Sequence, residues 1–401
     1  RVRADVTHTP MMGWMSWAEV GCAVDCAHAA ADVPCVSERY LLHVADALVT
    51  SGLRDAGYHY VWIDDCWMTA RHAANGTLRA APDRFPHGIA WLADQLHERG
   101  LLLGIYLNNG RYTCQGARFP GSEGHRREDV DALIAWRVDG LKLDGCYMSA
   151  ATFERVADDY EQWSHELRRS PRPVYFICSY PYYEHFGGGM SGLDGGRDTD
   201  FAHASRTCDA FRYMDDVNVP PVAHRLRRIV RFMEARHSAM LSYNGPGHQA
   251  DADMLLVGSR LTAATPLSLQ RLQLVMWIMT ASPLLLSCDP LRLSAPQRRL
   301  LTHAQLLDVH ADGLVKAAAQ VLPRTGPMAV TNADHSVWVR ELSNSSFVMA
   351  FVNLSDQQSE LRVPLAPRWL APQCRLDAFA HTELNLAATD GGDGEQLLWR
   401  P

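Results

Sequence analysis

What this chain of 401 residues lacks closes several classes of function. No two of its ten cysteines form a CxxC pair, which argues against a zinc centre. No run of lysine and arginine stands out. The net charge is −7 with acids and bases interspersed, so there is no patch to neutralise phosphates and nucleic acid is not an expected partner. The most apolar stretch, residues 272–288, is interrupted by Gln273, Thr280, Ser282 and Pro283. It reads as a buried helix running into a strand, not as a membrane span. No charged-then-apolar leader precedes Arg1, so the expectation is that a leader was removed or that the chain starts inside its precursor. There is no internal repeat and no low-complexity tract. "TDGGDGE" at 389–395 is too short for a calcium loop and reads as a turn.

What is present is ordinary in bulk. Apolar residues make up 47% and charged residues 21%, enough for a sizeable core. The length predicts one large domain and a smaller one. Ten cysteines accompany three glycosylation sequons, at Asn75, Asn344 and Asn353. Together they point to the oxidising secretory route, with lysosome and extracellular space both open.

Between residues 10 and 310, short apolar runs with polar ends alternate with helical periods. The expected strands are 11–17, 58–65, 101–107, 140–145, 173–179, 209–216, 237–244 and 283–289. Eight strands alternating with helices predict an α/β fold, a (β/α)8 TIM barrel over residues 1–312, with a doubly wound sheet as the competing reading. Beyond that, "MAVTNAD", "HSVWVREL", "SFVMAFVNLS" and "SELRVPL" alternate with turns and no long helix. Residues 313–401 therefore read as a C-terminal antiparallel β-sandwich domain.

Barrel chemistry sits where the parallel strands end at their C-terminal side. Those ends collect Trp17, Asp64, Asp65, Tyr106, Lys142, Asp144, Ser179, Arg212, Asp215 and Asp216, with Asp251 and Asp253 in the loop after the seventh strand. Rings suit the apolar face of a sugar, carboxylates accept from its hydroxyls, and two more carboxylates supply a nucleophile and an acid/base. Taken singly, each has a plainer reading. Asp64–Asp65 would cap a following helix, Lys142–Asp144 and Arg212–Asp216 would be structural ion pairs, and tryptophans are most often core. A divalent metal held by Asp64, Asp65, Asp144 and Asp216 is a further alternative, against which the Lys142 cation counts.

"TPMMGWMSW", "AGYHYVWIDDCWM", "RFPHGIAWLA", "LLLGIY", "GLKLDGCY" and "ADADMLLVG" resemble the family-27 glycoside hydrolases, the lysosomal-type α-galactosidases and α-N-acetylgalactosaminidases. The resemblance covers residues 8 to about 320. It implies a barrel followed by an antiparallel β domain, Asp144 as nucleophile and Asp216 as acid/base. It also implies that Trp17, Asp64, Asp65, Tyr106, Lys142, Arg212 and Asp253 contact the sugar. Asp144 is expected to stay ionised beside Lys142 and Asp216 to have a raised pKa. No metal or organic cofactor is implied, the partner is an α-galactoside-terminated glycan, and members of the family commonly form homodimers. The family's cysteine pattern would pair Cys22–Cys66, Cys26–Cys35, Cys114–Cys146 and Cys178–Cys208, leaving Cys288 and Cys374 unassigned.

One loop departs from the family. The galactosidases carry "CEWP" then Leu and the N-acetyl enzymes "CSWP" then Ala, whereas this chain has "CSYPYY". Ser179 resembles the N-acetyl enzymes. Tyr182 resembles neither, and its ring would fill the space of an acetamido methyl. The expected activity is therefore retaining hydrolysis of terminal α-D-galactosides, with α-N-acetylgalactosaminides as the alternative. A catalytically silent galactose-binding protein is a third reading.

Overall fold

A computed structural model describes residues 8–27, 32–186, 199–240, 243–322, 334–355, 361–364, 383–388 and 395–400. The chain divides into two compact units, Arg1–Ala319 and Gln320–Pro401.

The first unit is a (β/α)8 barrel. Its strands are β1 (Met12–Met15), β2 (Tyr60–Ile63), β3 (Leu102–Asn108), β4 (Gly140–Asp144), β5 (Tyr175–Cys178), β6 (Ala210–Arg212), β7 (Gln249–Asp251) and β8 (Leu284–Leu286). They hydrogen-bond in the order β7-β6-β5-β4-β3-β2-β1-β8, parallel in each pair. Leu255, just past β7, bridges to Leu286 of β8, which brings the two edges together. The segments with helical period are helices: α1 (Trp17–Val20), α2 (Glu38–Thr50), α3 (Gly88–Glu98), α4 (Arg126–Ala135), α5 (Ala150–Glu154), α6 (Val156–Leu167), α7 (Tyr180–Phe186), α8 (Phe201–Thr207), α9 (Val222–Met240) and α10 (Leu267–Met279). Ser37 caps α2 by accepting from Tyr40 N–H.

Two strand expectations need correcting. The seventh strand is not 237–244 but Gln249–Asp251, because α9 continues through "HSAM" to Met240. Ala and Met extend a helix readily, while the strand that pairs with β6 is only three residues long and leaves little period to read. The first strand stops at Met15, so Trp17 opens α1 instead of ending a strand.

Side chains of residues paired across a parallel sheet point to the same face, and the face alternates along each strand. Register therefore sorts the barrel. Trp62 pairs with Gly104, Gly104 with Gly140, and Gly140 with Tyr175. A Cβ on Gly104 would come within 2.1 Å of the Trp62 ring and one on Gly140 within 2.5 Å. Both glycines thus make room for this fully buried indole. Two residues further on, the same face carries Asp64, Tyr106 and Lys142, then Asn108 and Asp144. An apolar layer underlies a polar mouth, as the strand ends predicted.

The second unit is the C-terminal antiparallel β domain. It holds β9 (Ala319–Leu322), β10 (His335–Glu341) and β11 (Phe347–Asn353) in one sheet, and β12 (Leu361–Pro364), β14 (Glu395–Arg400) and β13 (Glu383–Ala388) in another. The expected strand at 328–334 and the turn at 389–395 lie almost wholly outside the described residues, as does Cys374. No helix among the described residues is long and apolar enough to cross a membrane.

Candidate active site

Asp144 ends β4 at the barrel mouth. Its Oδ1 accepts from Tyr183 Oη at 2.5 Å and from Gly145 N–H at 3.1 Å. Its Oδ2 lies 3.4 Å from Cys114 Sγ. That sulfur belongs to the Cys114–Cys146 disulfide, so it packs against the carboxylate without donating a proton. Burial raises the Asp144 pKa; the Lys142 charge and the Tyr183 hydroxyl oppose it, and the Asp216 charge adds to the rise.

Lys142 does not pair with Asp144. Its Nζ donates to Asp64 Oδ2 at 2.6 Å and stands 5.6 Å from the centre of the Tyr106 ring. Burial works against its charge, yet Asp64 and Asp144 outweigh burial and hold it protonated, well above the usual lysine range. Asp64 and Asp65 cap no helix; a short hairpin follows, from Met68–Arg71 to Leu78–Ala80. Asp65 Oδ1 accepts from Cys66 N–H at 2.6 Å, and the Thr113 side chain also hydrogen-bonds the carboxylate. Burial and then the Asp64 charge push Asp65 up to about 7. A buried carboxylate held this way at the mouth suits a ligand hydroxyl.

Asp216 lies four residues past β6. Arg212 Nη2 donates to its Oδ1 at 2.9 Å, and Arg212 Nη1 stands 3.2 Å from Asp253 Oδ1. Burial is the largest single influence on the Asp216 pKa and raises it, although the side chain is 52% exposed. The Arg212 charge and hydrogen bond, with Lys142 and Arg225, outweigh it and hold Asp216 below the usual carboxylate range. The expectation of a raised pKa is thus reversed in the free site, because Arg212, Lys142 and Arg225 together outweigh burial. Asp253, buried and at φ 78°, accepts from Val217 N–H at 2.8 Å. Burial pushes it up to about 6 against the pull of Arg212.

Trp17 is half-buried at the start of α1, and Tyr106 is buried beneath Lys142. Ser179, buried after β5, has an Oγ with no partner among the described residues. Tyr182 is half-buried, with Asp216, Asp215, Arg212 and Asp144 as its charged neighbours. It turns toward the acids.

Sequence reasoning passed over Tyr183 and Asn108. Tyr183 follows Tyr182 in α7, and its contact with Asp144 joins that helix to the end of β4, which no local pattern connects. Asn108 sits opposite Asp144 in the β3–β4 register, donates to Cys146 O at 2.7 Å and accepts from Cys146 N–H at 2.8 Å. A polar residue at a strand end was the available signal. The disulfides Cys22–Cys66, Cys26–Cys35, Cys114–Cys146 and Cys178–Cys208 are those the family resemblance implied, and Cys288 is free and buried.

Residues 9–312 match the family described as Alpha galactosidase A. The chain is 32% identical to human α-galactosidase A over 348 residues, 87% of this chain and 75% of that protein. It is 35% identical to mouse α-N-acetylgalactosaminidase over 347 residues, 86% of this chain and 76% of that protein. α-Galactosidase I of Mortierella vinacea has a similar structure, with a TM-score of 0.74 at 24% identity over 100% of this chain and 98% of that one. That last likeness concerns fold alone.

Proposed function

Since this chain belongs to the α-galactosidase A family of glycoside hydrolases, we propose that it releases terminal α-D-galactose from glycans with net retention of anomeric configuration. The observation that carries the reading is the Asp144–Tyr183–Tyr182 chain of contacts, which puts a phenol ring beside both candidate catalytic acids. Room for an acetamido group is what that ring would remove. Ser179 favours the second reading, an α-N-acetylgalactosaminidase, since its unpartnered hydroxyl could bond an amide. All of the chemistry is assigned to residues 1–312 and none to 313–401.

In the proposed mechanism an Asp144 oxygen attacks the anomeric carbon while Asp216 delivers its proton to the departing glycosidic oxygen. A galactosyl ester of Asp144 results. Asp216 then takes a proton from water, whose oxygen displaces Asp144 and restores the acid. Asp216 must carry a proton to begin. A sugar that covers this half-exposed carboxyl and engages Arg212 removes water and part of the guanidinium's hold, and both changes raise its pKa. Esterification of Asp144 then deletes a nearby negative charge, which lowers the pKa of Asp216 again for its role as base. Lys142, Asp64 and Asp65 would bind sugar hydroxyls, with Trp17 and Tyr106 against the ring and Asp253 on the far side of Arg212. Disulfides and the exposed sequons at Asn75 and Asn344 support a secretory destination, lysosomal or extracellular.

Hydrolysis of an aryl α-galactoside against an aryl α-N-acetylgalactosaminide, with the first-formed anomer followed by proton NMR, tests both parts. Faster cleavage of the galactoside and initial release of α-galactose are expected. A β-anomer would overturn retention, and preference for the acetamido sugar would overturn the substrate.

A further inference from the structure

Helix α7 after β5 and the segment after β6 meet in a contact that the proposed chemistry does not use. Tyr182 Oη donates to Asp215 Oδ1 across 3.4 Å. Asp215 is itself pinned: its Oδ2 carries the Arg225 guanidinium, Arg228 stands 3.5 Å away, and its Oδ1 also accepts from Asp216 N–H at 3.0 Å. On the other side, the Tyr182 ring meets Tyr183 edge-on, with centroids 5.2 Å apart and planes at 82°. Tyr183 is in turn bonded to Asp144. The ring is therefore held from the nucleophile's side by packing and from the acid's side by a hydrogen bond.

A distance of 3.4 Å is long for O–H···O, so the bond itself is weak. Its value as a restraint comes from the acceptor, a charged carboxylate fixed by arginines and unable to follow the ring. A tyrosine side chain has few rotamers, and fixing both its ring edge and its hydroxyl leaves one. Released at the hydroxyl, a half-buried ring has solvent to turn into.

We infer that Asp215, pinned by Arg225, is a specificity-determining residue that holds the Tyr182 ring across the mouth and so bars sugars bearing a 2-acetamido group. The inference rests on the galactose reading given above. Asp215 acts through Tyr182 and is a positioning residue, not a catalytic one.

The test is the ratio of kcat/KM for aryl α-galactoside over aryl α-N-acetylgalactosaminide in the wild type, Asp215→Ala, Tyr182→Phe, their double variant and Asp215→Asn. Asp215→Ala and Tyr182→Phe should each lower the ratio roughly tenfold, the scale on which one group in a pocket discriminates. The double variant should fall no further than either single one, because both remove the same bond. Asp215→Asn keeps an acceptor for the phenol and should retain most of the discrimination. An unchanged ratio in Asp215→Ala, or equal loss of both activities as from simple damage to Asp216, overturns the inference. Tyr182→Phe leaves the Arg225–Asp215 pair intact and decides the matter if Asp215→Ala does not fold. A wild type that prefers the acetamido sugar defeats the galactose reading itself, before any variant is made.

Discussion

Tyr183 donates to Asp144 across 2.5 Å, and removal of that hydrogen bond has two separable consequences. A hydrogen bond to a charged group contributes about 1.5–3 kcal/mol, so Tyr183→Phe should lower kcat roughly 10- to 100-fold where the carboxylate's orientation matters. The hydroxyl also lowers the Asp144 pKa, so its loss should move the acidic limb of the kcat/KM profile to higher pH. A reduced rate with an unmoved limb would mean that Tyr183 does not bond the reacting carboxylate. Asp144→Asn should leave the far-ultraviolet circular dichroism unchanged and abolish turnover by at least about a thousandfold. Wild-type turnover in that variant would remove Asp144 from the chemistry.

Among the elements, the barrel depends on how one indole is accommodated. Trp62 lies over Gly104 and Gly140, and a methyl group at Gly104 would stand 2.1 Å from its ring atoms. Gly104→Ala should cost about 1–3 kcal/mol through overpacking and lower the melting temperature, read by calorimetry. An unchanged melting temperature would show that the ring shifts freely. The strands that carry the site were legible because charges interrupt apolar runs there: Lys142 and Asp144 in β4, Asp64 and Asp65 after β2, Arg212 at the end of β6. The seventh strand was not, since three residues held only by pairing to β6 leave no period in the chain. Lys142's choice of Asp64 over Asp144 was equally hidden. It follows from the β2–β3–β4 register, which brings together residues 78 positions apart. Tyr182 announced itself by departing from the family, whereas the acceptor of its hydroxyl appeared only once α7 and the segment after β6 were folded side by side.

Across the molecule, several carboxyls are buried with raised pKa values. Glu19 and Asp65 reach about 7, and Asp209 and Asp253 about 6, each through burial first. Such groups bind protons more tightly in the folded state than in the unfolded one. Their contribution to stability is fully present below the unfolded value near 4 and is lost as pH rises through 6 to 7. His59 and His248, lowered by burial, work the opposite way as pH rises toward 6.5, but they are two groups against the four raised carboxyls. The melting temperature should therefore be higher at pH 5 than at pH 7.5. A higher value at pH 7.5 would mean that these carboxyls are hydrated in solution.

The Cys114–Cys146 bond ties two loops together and lays its sulfur against the carboxylate that the mechanism calls on to attack. If Asp144 is the attacking group, activity depends on the oxidation history of the chain. On the proposed mechanism, a copy with a complete barrel but an open Cys114–Cys146 pair is expected to be inactive. Freshly synthesised protein chased from reducing into oxidising buffer should thus gain activity with the time course of that closure, not with that of secondary-structure formation.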